Sequence, residues 1–512
     1  MNANDVCVGT MFTVIGGVGS TRYQLGVIAL AGSRIDAISA DLDPVGPRAD
    51  FEATWLEEGT MGLPDHPYAA VERMREAAKA CSTARIGLKT LADNTATAAR
   101  RYDEAEERNR LFLARKNQLD AFRAGSHFTA QSWLLPGGPN NSVRDLGRWL
   151  DSFWTKGFRD ATEDSINGGP AFLAGAAGGW PALAYLLSLG RHPERSDTAA
   201  AAAAGVRHML DSTGVTRPGT VSVRRIPAGD WSAQPSGTGV RGTTRATIEG
   251  ILEAPRDAYA VAPSAVIVDR IERADGTIAW RVALPGTEVW DPPDSENLFD
   301  LEGDLQALTS ARRKEFMEKQ VMVEELLKAA LQDAGAKPGD PVMLTGHSGG
   351  GIHAAAAAAD PAFLAEFNVT MVVTAGAPIA RLPVDGRVGV LGLENTYDIV
   401  TAADGAAPPD RSNWVTVTSS RPGDGVGTMQ DVIARAHSLD GYLGDARQAE
   451  HSADPSIDGA RKSIRDFMGV AGPGQAVAFT RSVYQGRDVR PAKAPPAPAT
   501  GRERRDAVPR GR

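Results

Sequence analysis

The segment from Pro341 to Ala358, PVMLTGHSGGGIHAAAAA, constrains this chain more than any other. It reads as a short buried strand, a glycine-rich turn and an alanine-rich helix. Gly346-His347-Ser348-Gly349-Gly350 matches G-x-S-x-G at the junction, the setting that motif needs. A strand that turns sharply into a helix pushes the serine backbone into a strained conformation and leaves its Oγ exposed at the sheet edge. Gly346 and Gly350 remove side chains that would collide there, and the helix N-terminus beyond Ser348 favours negative charge. The bland alternative is a glycine-rich turn that carries no chemistry.

A serine hydroxyl is a weak nucleophile and needs a base oriented by an acid. In this kind of fold the chain order is Ser, then Asp or Glu, then His. Two histidines, His437 and His451, lie beyond the candidate acids. His437 follows the last expected strand after one loop, whereas His451 sits in a polar string that reads as a solvated turn, so His437 is the preferred base. For the acid, Asp398 follows a strand ending near Leu393, and Asp404 before Gly405 is the runner-up, readable as a turn residue. His347 and His353 receive no role: one is the variable position of the elbow and the other lies on the following helix. An oxyanion hole needs two backbone N–H donors. Gly349 is positioned to give one, and Gly286 or Thr287, after the strand 278–284, the other, with the Thr287 hydroxyl as a further donor.

The rest of the chain divides in two. Residues 1–150 read as an all-α domain with no β-pattern before 215. Tyr23, Leu25, Ile28, Ile35 and Ile38 fall at roughly helical spacing, and Asp43-Pro44-Val45-Gly46-Pro47 ends that helix. A second helical stretch starts near Pro67 and continues past Arg110, with Met74, Ala77, Cys81, Ile86 and Leu91 as its expected apolar stripe and Cys81 as a small core residue. Residues 151–215 read as a helical connector or lid. From 216 to 475 strands alternate with helices: 220–224, 265–269 and 278–284, the last two joined across Asp275-Gly276, then a helix over 308–334 and strands at 341–345, 369–374, 388–393 and 414–418. That alternation predicts an α/β fold with a mostly parallel sheet. Residues 476–512 are expected to be a disordered basic tail; from Gly486 onward eight basic and three acidic residues give +5.

Composition removes several function classes. With 42% hydrophobic residues, 512 positions can bury a large core, so disorder does not dominate. Two cysteines, Cys7 and Cys81, and eight scattered histidines offer neither a disulfide scaffold nor metal-ligand spacing, and no cofactor is expected. A net charge of −8 argues against nucleic acid as the partner. The stretch 167–190 is long enough to span a bilayer, but six glycines and two prolines make a buried helical hairpin the simpler reading. No basic residue precedes the apolar run Val6–Val18, so a cleaved signal peptide is not expected, leaving a cytoplasmic location or export by another route. Gly16-Gly17-Val18-Gly19-Ser20-Thr21 lacks the P-loop lysine and the sixth-position glycine of a nucleotide loop.

Taken together, residues 265–445 resemble α/β-hydrolases of the lipase/esterase type, especially actinobacterial proteins that join such a domain to a helical N-terminal region. The matching pieces are Pro285-Gly286-Thr287, Gly346-His347-Ser348-Gly349-Gly350, Thr374-Ala-Gly-Ala-Pro378, Glu394-Asn-Thr-Tyr-Asp398, and His437 with Tyr442 five residues on. Gly349 departs from the Gln or Leu that members often carry after the serine. The resemblance implies hydrolysis of a small-molecule or lipid ester through an acyl-enzyme. More loosely, the N-terminal region resembles the helical hairpins of type VII secretion partners. Tyr102-Asp-Glu-Ala-Glu106 matches Y-x3-[DE], but no W-x-G turn is present, since Trp55 precedes Leu56 and Glu57. That likeness implies a helical protein partner or secretion machinery, with the hydrolase fold either active or accessory.

Overall fold

Residues 12–134, 159, 162, 220–232, 240–288, 297–299, 322–421 and 429–489 are described by the computed structural model. The first part of the chain holds β1 (Thr13–Gly16), α1 (Thr21–Leu42), α2 (Val45–Thr60) and α3 (Tyr68–Leu134). The second begins with β2 (Thr220–Ile226), β3 (Arg241–Arg245), α4 (Ile248–Val261), β4 (Ala265–Glu272), β5 (Ile278–Leu284) and α5 (Met322–Ala334). Then follow β6 (Pro341–His347), α6 (Gly349–Ala357), α7 (Pro361–Glu366), β7 (Asn368–Ala375), β8 (Gly389–Asn395) and β9 (Trp414–Ser419). The series closes with α8 (Met429–His437), α9 (Leu439–Ala449), α10 (Pro455–Met468) and β10 (Ala476–Val489). The expected connector or lid at 151–215, the apolar stretch 167–190 and the charged run before Met322 lie almost wholly outside the described residues.

The ten strands among the described residues form one sheet in the order β1-β9-β8-β7-β6-β5-β4-β10-β2, with β3 also on β10. Its centre, β5 to β9, is parallel, and both flanks are antiparallel. The architecture is therefore mixed α/β with a largely parallel central sheet and a helical N-terminal region. Helices cover both faces: α5, α6 and α7 pack with Val282, Leu284, Val342, Leu344 and Val372 on one side. On the other, α4, α9 and α10 pack with Met343, Met371, Val373, Leu391 and Val417. Coverage on both sides explains why β6, β7 and β8 read as continuous apolar runs rather than alternating ones.

Two expectations fail at the sheet margins. β1 lies in the stretch expected to contain no strand, and it pairs antiparallel with β9 from Thr13↔Thr418 to Gly16↔Val415. At four residues it is too short for a period-two pattern to register. β10 occupies 476–489, placed in the expected disordered tail; only 490–512 lie outside the described residues. It is an interior strand, paired with β4 on one side and with β3 and then β2 on the other. Arg481 within it is buried and paired with Asp269 and Asp257 at 2.7 Å each. Arg281 joins the same Asp269 at 2.6 Å, so a buried four-residue network of zero net charge stitches β4, β5, β10 and α4 together. Burial alone would push the Asp269 carboxyl up, but Arg481 and Arg281 outweigh it and hold its pKa below the usual range.

The helical region is an antiparallel hairpin in which α1 and α2 together run along α3. Inward positions recur every seven residues on both arms: Leu25, Gly32, Ser39, Gly46, Ala53 and Thr60 on one, Val71, Ala78, Arg85, Ala92 and Ala99 on the other. The seven-residue spacing continues across Asp43-Pro44 and is that of a coiled coil. Ser39 Oγ donates to Arg85 O at 3.0 Å, and Gly46 faces Ala78 O, so small side chains let the arms approach closely. Met74 and Cys81 do face the partner arm, whereas Ala77, Ile86 and Leu91 from the expected stripe point outward, the last two 57% and 52% exposed. That stripe drifts off the seven-residue face after Cys81. One edge of the hairpin carries ion pairs, Lys89–Asp36 at 2.8 Å and Arg75–Glu57. The opposite edge is exposed and apolar, with Ala31, Ile38 and Val45 beside Ala77, Ala84, Leu91 and Ala98.

Candidate active site

The strained turn expected at the elbow is present. Ser348 has φ 53° and ψ −127°, one of only two non-glycine residues with positive φ among those described. The strain is held by packing on every side. Ser348 N donates to Ala375 O at 2.9 Å, Gly351 N donates to Ser348 O at 3.0 Å, and a Cβ on Gly350 would strike the carbonyls of Leu284 and Pro285. That last contact presses the loop after β5 against the elbow, in line with the pairing of Leu284 with Gly346.

His437, the last residue of α8, places Nε2 at 2.9 Å from Ser348 Oγ and Nδ1 at 2.8 Å from Asp398 Oδ2. Asp398 is fully buried, Ser348 is nearly so, and the His437 side chain is 22% exposed. Three of the sequence-derived residues, separated by 50 and 39 positions, are thus brought into one hydrogen-bonded line. Asp398 is itself fixed: Oδ1 accepts from Val400 N at 2.9 Å, and Oδ2 also accepts from Tyr442 Oη at 2.6 Å. Tyr442 is fully buried on α9; burial first, then the Asp398 charge, raises its phenol pKa far above the usual value, so it stays a donor. Gly376, at φ 61°, leaves room for this cluster, because a Cβ there would sit 2.9 Å from the Tyr442 ring and 3.2 Å from both Asp398 Oδ2 and His437 Nδ1.

The rejected alternatives lie elsewhere. His451 is in an exposed turn after α9. Asp404 is buried and accepts from the backbone N–H groups of Arg381 and Ala406. His353 packs against Phe299 with ring centroids 5.8 Å apart. Of the expected oxyanion donors, Gly349 opens α6, and Gly286 lies against the Ser348 Cβ and the His347 carbonyl. Thr287 follows in the same loop and is half-buried.

Several residues beside the site carry no sequence signal for their position. Arg421 donates to Arg435 O and Ala436 O at the end of α8, and to Asp445 at 3.1 Å, tying down the turn that carries His437. Glu394, at the end of β8, pairs with Arg159 at 2.8 Å; burial pushes its carboxyl up to about 7, and burial likewise pushes Asp404 up to about 6. His347, given no role from the sequence, is buried beside His437 with ring centroids 4.8 Å apart. His347, Glu394 and Tyr442 all fall within the matching sequence pieces, but nothing in their local pattern gives them a function.

Among the described residues no group of His, Cys, Asp and Glu has the geometry to hold a metal ion, and no helix is long and apolar enough to cross a membrane. Comparison with protein-family models, with curated proteins and with solved structures gives no match to this chain.

Proposed function

We propose that the protein is a serine hydrolase of the α/β-hydrolase fold, lipase/esterase type, cleaving carboxylic esters without a cofactor. One observation carries the reading: the unbroken line Ser348 Oγ, His437 Nε2, His437 Nδ1, Asp398 Oδ2, with Ser348 on a positive-φ elbow. In the proposed cycle His437 Nε2 takes the hydroxyl proton as Ser348 Oγ attacks the ester carbonyl. The buried Asp398 carboxylate, held by Tyr442, stabilises the imidazolium and its orientation. The N–H of Gly349 and the loop Gly286-Thr287 receive the oxyanion, each donor worth about 10²-fold or more in rate. His437 then protonates the departing alcohol, and water releases the acid by the same steps in reverse.

The test is labelling with a fluorophosphonate, followed by mass-spectrometric mapping, together with hydrolysis of short-chain esters. Modification at Ser348 and loss of turnover in Ser348→Ala are expected. Labelling of a different residue, or full activity in that variant, would falsify the mechanism.

A second reading concerns the hairpin and is favoured by its exposed apolar edge, Ile38, Val45 and Leu91. We infer that this edge docks a helical protein partner, secretion machinery included, while the hydrolase remains active. In producing cells, Ile38→Glu with Leu91→Glu is expected to reduce the protein recovered in washed culture supernatant and leave ester turnover unchanged. Undiminished recovery counts against this role.

A further inference from the structure

His347 is the variable position of the elbow motif, yet the residue is only 6% exposed and its ring is hydrogen-bonded at both nitrogens. Nε2 lies 2.8 Å from the backbone carbonyl of His437, and Nδ1 lies 2.8 Å from Tyr259 Oη on α4. A carbonyl can only accept, so Nε2 carries the proton. Burial, with His437 beside it, lowers the His347 pKa to about 4, so the ring is neutral in ordinary buffers and Nδ1 is a lone pair. Tyr259 is therefore the donor at that end. The resulting chain runs Tyr259 O–H to His347 Nδ1 and His347 Nε2–H to His437 C=O.

The carbonyl it reaches is a demanding one. His437 ends α8, and the last carbonyls of a helix have no partner within it. The chain turns at once into α9, with Ser438 as N-cap accepting from Gly441 N at 3.2 Å. A donor at the His437 carbonyl thus sets the position of the residue whose ring must meet Ser348. Because His347 precedes Ser348 directly, nucleophile and base are tied through one peptide unit at the end of β6. The Tyr259 hydroxyl also lies over Gly286, in the loop expected to bind the oxyanion, so a single phenol contacts the elbow side chain and that loop together.

We infer that His347, held in its Nε2–H tautomer by Tyr259, is a positioning residue that fixes the backbone of His437 relative to Ser348. The inference rests on the serine-hydrolase reading above. It assigns His347 no proton transfer with substrate; it acts by geometry, for which displacement of about 1 Å costs on the order of 10²-fold in rate.

The experiment compares His347→Leu, His347→Gln and Tyr259→Phe in the full chain, measuring kcat, KM, melting temperature and the rate of fluorophosphonate labelling at Ser348. His347→Leu keeps bulk but has no donor, and should lose about 10- to 100-fold in kcat and in labelling rate with KM within about twofold. His347→Gln, whose amide N–H can reach the same carbonyl, should recover most of that loss. Tyr259→Phe leaves the ring free to move its proton to Nδ1, and should cost about 3- to 10-fold in kcat without lowering the melting temperature appreciably. A His347→Leu enzyme within twofold of wild type overturns the inference, as does His347→Gln behaving no better than His347→Leu. Should the two His347 variants fail to fold, Tyr259→Phe decides alone, and unchanged kcat there overturns it. Absence of labelling at Ser348 in the wild type defeats the underlying hydrolase reading instead, and the positioning role with it.

Discussion

The hairpin and the sheet body solve the same burial problem in opposite ways. In the body, Val282, Leu284, Leu344, Val372 and Leu391 are completely covered, each side chain contributing about 1.5–3 kcal/mol relative to exposure. Along the hairpin the inward line is Gly32, Ser39, Gly46, Ala53, Ala78 and Ala92, while Phe51, Trp55, Ile86 and Phe112 are 57–71% exposed. Large apolar groups therefore face inward in the body and, apart from Leu25 and Val71, mostly outward in the hairpin. The lesson concerns where each region keeps its chemistry. The body uses close packing to hold a strained serine and a buried carboxylate in place, and the hairpin trades core volume for a displayed surface.

That contrast is open to attack at both ends, beginning where the effect should be greatest. Asp398→Asn removes the charge that orients His437, and kcat for ester hydrolysis should fall by about 10³–10⁴-fold with the melting temperature little changed; a loss under tenfold would mean the packed line does not act as a unit. Arg481→Met leaves Asp269 buried beside a reduced counter-charge, and denaturant unfolding should report about 3–5 kcal/mol of lost stability. A loss below 1 kcal/mol would place the network among dispensable features.

The third test uses pH. Burial first, then Asp404 and Asp398, outweighs Arg159 and raises the Glu394 carboxyl to about 7. The folded state thus holds this proton more tightly than the unfolded one. Its contribution is complete below the ordinary Glu value of about 4.3 and is lost as pH rises through about 7. Melting temperature should accordingly decline between pH 5 and pH 7, by a stability change from this group of about 2 kcal/mol, and Glu394→Gln should reduce that slope. A slope that persists in the variant would assign the decline to another group.

Smaller effects are expected in the hairpin. Ala78→Leu forces bulk against Gly46 and should cost about 1–3 kcal/mol, seen as reduced helix signal in circular dichroism, while ester turnover stays within twofold. A parallel loss of turnover would show that hairpin and body are not energetically separate. Last, Ile38→Glu alone should change stability by no more than about 0.5 kcal/mol, because the side chain is already 52% exposed.

What the sequence made legible follows the same division. The elbow was readable because its demands are local: a strand, a strained residue and glycines within five positions. Asp398 and His437 followed from chain order, with two histidines left to choose between. Tyr442, Arg421 and His347 were not assigned roles, since each acts on a residue brought near only by folding, and a tyrosine five positions after a histidine has no pattern of its own. β10 was misread because the charge of Arg481 is answered by Asp269 and Asp257, more than 200 positions away. The hairpin's repeat escaped a hydrophobic reading because glycine, serine, alanine and arginine occupy most of its inward positions.

β1 has one practical consequence for anyone dissecting the molecule. It covers the outer edge of β9, whose sequence Trp414-Val-Thr-Val-Thr-Ser419 is rich in β-branched residues and free of charge. Ser456 locks it there, donating to Gly16 O at 2.8 Å and accepting from Gly19 N at 2.9 Å. Cutting the chain after the hairpin would strip that cover and leave an uncharged edge strand open to pairing with other molecules, a recipe for aggregation. A soluble fragment of the sheet body should therefore keep residues 12–20 and replace only the helical arms with a short flexible link.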